Sequence, residues 1–196
     1  MTRIKGQLTK SEYLPIDEFY RLVDSLHNDG QYFYELYCRL SFCTALRASD
    51  ILPLRWTDVL NKHILIIIEK KTGKRRRIRF NDSVVDKIAE LYILLGSPNM
   101  YYPIFRNVKT GKPYTLESVN MTLKILKKHY NLPIQSFSTH SFRKTFGRYI
   151  WEKNGKNMES LFKLSQALNH DNPKTTMIYL GISQDEIDEL YDSIQF

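Results

Sequence analysis

The segment HILIIIEKKTGKRRRIRF, residues 63–80, restricts the fold more than any other part of the sequence. Its first half contains a run rich in β-branched residues at 64–68, and its second half, 75–80, ends in alternating basic and apolar side chains. A Thr-Gly pair stands between the two halves, as is typical of a turn. This pattern predicts a β-hairpin with a heavily basic tip. We therefore expect the fold to include a small antiparallel sheet.

Apolar residues at helical spacing dominate the remaining chain. A capping-box pair, Thr9 and Glu12, predicts that a first helix starts at LTKSEYLPIDEFYRLVDSL. A second helix is predicted from Tyr32 to Ala45, with a short restart through Leu54. The predicted fold class is mostly α with a small antiparallel β-sheet (α+β), in one domain without internal repeats. The further predicted helices cover 82–95, 115–130, 139–153 and 157–168.

Basic residues outnumber acidic ones, with 29 Lys and Arg against 21 Asp and Glu and a net charge of +8. Five of the acids lie in the last thirteen residues, QDEIDELYDSIQF, which contain no base. The rest of the chain therefore carries a larger basic excess. An excess of this kind favours a polyanionic partner such as nucleic acid.

The acidic C-terminal segment, 184–196, also has an apolar stripe. Its members stand at i, i+3, i+4 and i+7, which predicts a short amphipathic helix. An apolar stripe must be covered, either in cis by the protein's own core or in trans by a neighbouring molecule, and both alternatives stay open. The stripe consists of Ile187, Leu190, Tyr191 and Ile194.

No feature of the sequence directs the chain to a membrane. It lacks a run of 18 apolar residues, and its start, MTRIKGQLTK, lacks the apolar core of a secretory signal. A cytoplasmic location and no membrane partner are therefore expected. Cys38 and Cys43 stand five residues apart in a helical pattern, which suits buried free thiols better than a local disulfide or a metal site.

Four separated stretches combine cations, imidazoles and a hydroxyl group. Each residue has an ordinary interpretation when it is taken alone: an arginine caps a helix or lies on the surface, a lysine belongs to a solvated charge run, a histidine lies at a helix end, and a tyrosine packs in the core. The spacing of His140 and Arg143, i and i+3, places both on one face of a helix. The candidate residues are Arg47, Lys71, His140, Arg143, His170 and Tyr179.

Together these residue types suit the cleavage of a phosphodiester without metal. That reaction requires a nucleophile, fixed positive charge on the phosphate oxygens and an acid for the departing alkoxide. Arginine binds phosphate in a bidentate fork and does not titrate, and lysine or histidine can donate the proton. A tyrosine can attack once a base or a cationic pocket offsets its pKa of about 10. The sequence shows no Asp/Glu cluster suited to a two-metal nuclease.

The order and spacing of four motifs resemble the catalytic domain of the tyrosine recombinases, the phage integrase family. The motifs are TALRASDILPLRWTDV, KKTGK, HSFR and LNHDNPKTTMIY, and the resemblance covers residues 8–182. Ala45 and Asn169 replace two customary glycines, and Asp50 replaces a customary glutamate. Asparagine tolerates a positive φ better than most residues, and a shorter carboxylate can still orient or cap at position 50.

The resemblance implies that Tyr179 attacks DNA and forms a 3′-phosphotyrosyl link, while Arg47 and Arg143 hold the scissile phosphate. Because the covalent link would preserve the energy of the broken bond, strands would be rejoined without ATP, metal or any other cofactor. The implied function is site-specific recombination, with integration, excision or inversion as the outcome, as in recombinases of phages and mobile elements.

The resemblance also assigns the remaining site residues. Lys71 would be the general acid toward the 5′-oxygen, and it is preferred to Lys70 because it directly precedes Thr72. His140 would be an acid/base and phosphate ligand, and His170 a hydrogen-bonding partner at the phosphate. Cations of the hairpin and of the KILKKHY segment are expected to contact DNA phosphates. These are Lys70, Lys74, Arg75, Arg76, Lys124, Lys127 and Lys128.

The family also suggests how the chain is organised. Residues 1–183 would form the catalytic domain and 184–196 the acidic helix, without an N-terminal core-binding domain, as in short members that resemble the fimbrial phase-variation invertases. Double-stranded DNA is the expected partner, bound by four protomers on two duplexes, with a monomer free in solution. Two alternatives stay open: a DNA-binding regulator or directionality factor with the same fold, and a type IB-like topoisomerase.

Overall fold

The computed structural model describes residues 11–170 and 172–182. These residues fall into two compact units, 11–146 and 147–182. The predicted class is confirmed: helices predominate, and the sheet of the described residues has two antiparallel strands. None of the helices in these ranges combines the length and apolar character that crossing a lipid bilayer requires. The acidic segment 184–196 lies outside the described residues.

The first unit contains most of the elements, and helix α7 contributes residues to both units. The elements that begin in the first unit are α1 (Ile16–Asn28), α2 (Tyr32–Thr44), α3 (Ala48–Ile51), α4 (Trp56–Val59), β1 (Ile64–Ile68), β2 (Arg75–Arg79), α5 (Asp82–Leu94), α6 (Leu116–His129) and α7 (Thr139–Lys153). The second unit adds α8 (Met158–Ala167) and α9 (Pro173–Leu180).

The prediction for the first helix is wrong in its start. Helix α1 begins at Ile16, after Pro15, and residues 11–15 are not helical. Proline disfavours the helical conformation of the residue before it, so the helix cannot extend back through Leu14. Glu12 instead accepts hydrogen bonds from the backbone N–H groups of Gln135 and Ser136, at 3.2 and 3.3 Å. Thr9, its predicted partner in a capping box, lies outside the described residues.

The hairpin forms as predicted, with Leu65 opposite Ile78 and Ile67 opposite Arg76. Because side chains alternate across a strand, one face of the hairpin is buried and the other is exposed. Leu65 and Ile78 join the core of the first unit, where α1 and α2 pack together through side chains such as Phe19. The outward face carries exposed side chains from both strands, namely Ile64, Ile66, Ile68, Arg75, Arg77 and Arg79.

Helix α9 packs in the second unit through Leu180, which is fully buried. Its side chain lies against Gly147 of α7, at a place where a Cβ atom would overlap it. Helix α9 begins at Pro173 and is capped by Asn172, whose side-chain oxygen accepts from the N–H of Thr175 at 2.9 Å. Asparagine before the helix and proline at its first position are favoured start signals.

Candidate active site

Arg47 lies at the corner between α2 and α3. Helix α2 ends at Ala45, which has a left-handed conformation with φ of 47°, and the Thr44 hydroxyl accepts from the N–H of Leu46 at 3.2 Å. The chain then turns so that Arg47 precedes α3 in an extended conformation. The Arg47 Nη1 atom donates to Oε2 of Glu69 at 2.9 Å, and 19% of its side chain stays exposed. The guanidinium is thus oriented and still accessible.

Arg143 reaches the same corner from α7. Its Nη1 atom donates to the carbonyl oxygen of Ala45 at 2.6 Å, and the residue is 2% exposed. That carbonyl is available because the left-handed turn at Ala45 ends α2, and the last carbonyls of a helix lack intrahelical partners. The Arg143 guanidinium thus bonds to the backbone two residues before Arg47, so both arginines lie at the segment 45–47.

His140 stands in the first turn of α7, one turn before Arg143 on the same face. The Ser138 hydroxyl accepts from the N–H of His140 at 3.2 Å, and the Ser141 hydroxyl accepts from the N–H of Ser138 at 3.1 Å. These bonds satisfy donors at the helix start, so His140 is indeed a helix N-terminal residue behind Ser138. His140 is partly exposed, which leaves part of its ring accessible.

Lys71 lies at the exposed tip of the hairpin. The tip is held by backbone bonds between Glu69 and Lys74 at 3.0 Å and between Gly73 and Glu69 at 2.8 Å, with Gly73 at a φ of 67°. The Asp50 carboxylate accepts from the N–H of Lys70 at 2.8 Å and joins the tip to α3. The expectation that this shorter carboxylate still orients its neighbours is confirmed.

The prediction that Arg76 contacts DNA phosphates is wrong. It is only 9% exposed, because strand alternation places it on the buried face of the hairpin. Its guanidinium donates to the carbonyl oxygens of Thr44 and Ala45 at 2.8 and 3.2 Å, and to Glu69 at 3.3 Å. Burial lowers the pKa of Arg76, and the charge of Glu69 opposes that shift. Arg76 is therefore an internal support of the corner.

The other predicted phosphate-contacting cations lie on the surface or beside a depression. Lys70, Lys74 and Arg75 are exposed around the hairpin tip. A depression of about 480 Å³ beside the C-terminal half of α6 is lined by lysines, and Lys127 donates to the backbone oxygen of Gln135 at 2.7 Å. The lysines are Lys124, Lys127 and Lys128.

His170 and Tyr179 come together in the second unit. Their rings meet edge to face, with centroids 5.1 Å apart, and both residues are partly buried. Asn169 follows the end of α8 and has φ of 51°, and the N–H of His170 donates to the carbonyl oxygen of Ser165 at 2.9 Å. The expectation that asparagine preserves this turn is confirmed. On the other side of the imidazole, Nδ1 lies 2.9 Å from Oγ1 of Thr176.

Two supporting residues were missed by the sequence interpretation. Glu69 is a fully buried acid that contacts Arg47, and Thr176 is a fully buried hydroxyl that contacts His170. The sequence signal for Glu69 was its place as the lone acid beside a run of cations; Thr176 gave no signal apart from its short distance along the chain from His170. Within residues 11–170 and 172–182, no group of three or more His, Cys, Asp or Glu side chains could hold a metal ion.

Comparison with known proteins identifies one family. Residues 12–186 match the family model described as the phage integrase family. The probable integrase/recombinase YoeC of Bacillus subtilis (strain 168) is 36% identical over 142 residues, which cover 72% of this chain and 74% of YoeC. A probable integrase/recombinase of Acholeplasma phage L2 is 31% identical over 149 residues, covering 75% of this chain and 48% of the phage protein.

The fold is also found among solved recombinases. The XerH site-specific recombinase, in its post-cleavage complex with a palindromic difH substrate, superimposes with a TM-score of 0.71 at 16% identity. The match covers 94% of this chain and 54% of XerH. This chain therefore spans about three quarters of YoeC but only about half of the phage protein and of XerH.

Proposed function

This chain belongs to the phage integrase family of tyrosine recombinases, and from that premise we propose that it breaks and rejoins DNA at specific sites through a 3′-phosphotyrosyl intermediate. The observation that carries the proposal is the corner at Ala45. There Arg47 and Arg143, from motifs almost a hundred residues apart in the chain, are held by neighbouring backbone and side-chain groups. Two fixed cations at one place suit a phosphate that gains charge as it reacts.

In the proposed cleavage step, the Tyr179 phenol oxygen attacks the phosphorus and the bond from phosphorus to the 5′-oxygen breaks. The phenol proton passes to a base, for which His140 is the candidate. The departing 5′-oxygen keeps the bonding electron pair and takes a proton from Lys71. Arg47 and Arg143 stabilise the charge on the non-bridging oxygens, and His170 donates a hydrogen bond to the same phosphate.

Rejoining reverses these steps with a new strand. A 5′-hydroxyl attacks the phosphotyrosine, the bond from phosphorus to Tyr179 breaks, and the phenol regains its proton. Since one phosphodiester is exchanged for a phosphotyrosyl ester and then for another phosphodiester, the sequence of steps requires no external energy source. The location of this chemistry is the cytoplasm, on chromosomal or element DNA.

Exposed cations around the hairpin tip support double-stranded DNA as the partner. Lys70, Lys74 and Arg75 are exposed to solvent, and the structural relative XerH was solved with a DNA substrate. Contacts to phosphates release counterions, so the affinity should fall steeply with salt concentration. We also propose that four protomers act on two duplexes, with segment 184–196 exchanged between them. Normal recombination by a protein that lacks 184–196 would contradict the exchange.

Strand cleavage in EDTA tests the proposed reaction. Duplexes drawn from the DNA that flanks the gene, each with a nick beside the assayed position and a label on the 5′ end, are incubated with the protein and separated under denaturing conditions. We expect a protein-DNA adduct at defined positions that retains the 5′ label. Cleavage scattered over all sequences would indicate a topoisomerase, and salt-sensitive binding without any adduct would indicate a DNA-binding regulator.

A further inference from the structure

Glu69 is a buried acid that directly follows strand β1 and contacts both Arg47 and Arg76. The residue is 0% exposed. Its Oε2 atom accepts from Arg47 at 2.9 Å and from the hydroxyl of Thr72 at 2.9 Å, and its Oε1 atom accepts from Arg76 at 3.3 Å. Its backbone closes the hairpin tip through Gly73 and Lys74. One residue thus joins the Arg47 side chain to the loop that carries Lys71.

A carboxylate beside Arg47 weakens the binding of an anion at that arginine. It repels a phosphate held by Arg47, and its burial requires compensation by the neighbouring cations. Arg76 supplies part of that compensation, because it is nearly buried and also bonds to Glu69. A net contribution to phosphate affinity therefore cannot explain Glu69, whereas the geometry of its contacts can.

We propose that Glu69 is a positioning residue, which fixes the Arg47 guanidinium and the Lys71 loop in one arrangement before DNA binds. The inference rests on the proposed function, in which Arg47 holds the phosphate and Lys71 supplies the proton. Long cationic side chains lose rotamer entropy when they are ordered. Because Glu69 orders Arg47 in the free protein, less side-chain entropy is lost when DNA binds and reacts. The bond from Thr72 to Glu69 likewise orders the loop that carries Lys71 before DNA binds.

A purely structural role through Arg76 is the competing explanation. Glu69 would then only neutralise Arg76 inside the fold, and its removal would weaken the whole first unit without a selective effect on the tip. The two explanations predict different effects of replacing Glu69: selective loosening of the hairpin tip, or destabilisation of the whole first unit. Thr72 is exposed, contacts Glu69 and has no part in neutralising Arg76. Its hydroxyl also accepts from the N–H of Lys74 at 3.3 Å, so Thr72→Val is compared with Glu69→Gln, which leaves that bond in place.

Limited trypsin digestion without DNA tests the loop. Trypsin cuts after the exposed tip residues Lys70, Lys71 and Lys74, whereas cutting after Lys87 within α5 requires a wider opening of the unit. We expect cutting at the tip to be about tenfold faster in Glu69→Gln and Thr72→Val than in wild type, with cutting at Lys87 less affected. The control is Glu117→Gln, the same amide substitution at an exposed carboxylate of α6.

Equal tip cutting in wild type, Glu69→Gln and Thr72→Val would overturn the proposal. So would a Glu69→Gln protein in which the tip and Lys87 are cut faster in the same proportion. If Glu69→Gln does not fold, Thr72→Val still tests the proposal, because its side chain is exposed and wild-type cutting at its tip would overturn the proposal. This measurement stands even if the protein cleaves no DNA.

A double-mutant cycle tests the effect on Arg47. The rate of adduct formation at saturating DNA is measured for wild type, Glu69→Gln, Arg47→Lys and the double variant. If Glu69 acts through Arg47, Glu69→Gln lowers the rate about tenfold in wild type and by a clearly smaller factor beside Arg47→Lys, where only its effect on the Lys71 loop remains. Additive losses, or a wild-type rate in Glu69→Gln, would overturn the proposal. A wild type that forms no adduct would refute the proposed function, and the trypsin result would still decide the positioning of the loop.

Discussion

The Nδ1 atom of His170 lies 2.9 Å from the hydroxyl oxygen of Thr176, a residue that is fully buried in the second turn of α9. Thr176 and Tyr179 belong to the same short helix, at i and i+3. The helix that carries the proposed nucleophile therefore also holds the imidazole whose ring meets Tyr179 edge to face. Helix α9 thus contacts the imidazole through Thr176 and through Tyr179.

Replacing Thr176 with valine should slow DNA cleavage with little change in DNA binding. Valine keeps the shape but removes the hydroxyl, so Nδ1 of His170 loses its partner and the ring loses its fixed orientation. We expect the rate of adduct formation at saturating DNA to fall about tenfold. Thr175→Val, at the exposed neighbour, is the matched control. An unchanged rate in Thr176→Val would contradict an orienting role for the hydroxyl.

Gly147→Ala should destabilise the fold, because a Cβ atom at this position overlaps the Leu180 side chain. Overpacking of this kind costs about 1–3 kcal/mol in the free energy of unfolding. Leu180→Ala removes the obstacle but leaves a cavity, at a cost of about 2–5 kcal/mol. Urea unfolding of both single variants and the double variant measures the coupling. We expect the double variant to lose less than the sum of the single losses, and additive losses would contradict the contact.

Alanine substitutions of Arg75 and Arg76 should have different effects on DNA binding and stability, although the two residues are adjacent in strand β2. Arg75 is exposed, so Arg75→Ala should reduce the dependence of log affinity on log salt concentration by about one and leave the stability nearly unchanged. Arg76→Ala leaves buried Glu69 without one of its cations and should cost about 3 kcal/mol of unfolding free energy. DNA binding at several salt concentrations and urea unfolding measure both effects. A lower salt dependence in Arg76→Ala, with full stability, would support a phosphate contact instead.

Cys38 and Cys43 should react slowly with thiol reagents in the folded protein. Burial raises the pKa of both thiols, that of Cys43 to about 12, whereas an unfolded cysteine has a pKa of about 8.5. The folded state thus favours the protonated thiols, and their contribution to stability is present below about pH 8.5 and lost as the pH rises toward 12. Reaction with a thiol reagent at about pH 8 should be at least about a hundredfold slower than in denaturant. Equal rates would contradict the burial.

Local sequence patterns were sufficient to predict most of the helices and strands of the first unit. The helix predicted from Tyr32 to Ala45 and the hairpin strands were found nearly at their predicted limits, because periods of 3.6 and 2 are local properties of the sequence. The same period of 2 placed Arg76 beside Ile78 on the inward face, so its burial could have been predicted from the strand pattern. Helix α9 had the start signals Asn172 and Pro173, which the prediction did not use.

Tertiary contacts account for what the sequence could not predict. The motifs identified the candidate residues, but the bond from Arg143 to Ala45 joins positions 98 apart, and no local pattern encodes it. The roles of Glu69 and Thr176 likewise depend on burial and on partners that only the folded chain supplies. Motifs therefore predict which groups are candidates for the reaction, while the fold determines which groups hold those candidates.

Covalent trapping with Tyr179→Phe tests the central claim most directly. Wild type and Tyr179→Phe are mixed with nicked duplexes in EDTA, and any adduct is digested so that mass spectrometry locates the residue linked to DNA. We expect an adduct with wild type at Tyr179, no adduct with Tyr179→Phe, and similar DNA binding by both proteins. An adduct that forms equally well with Tyr179→Phe, or a link at another residue, would contradict the assignment of Tyr179 as the nucleophile.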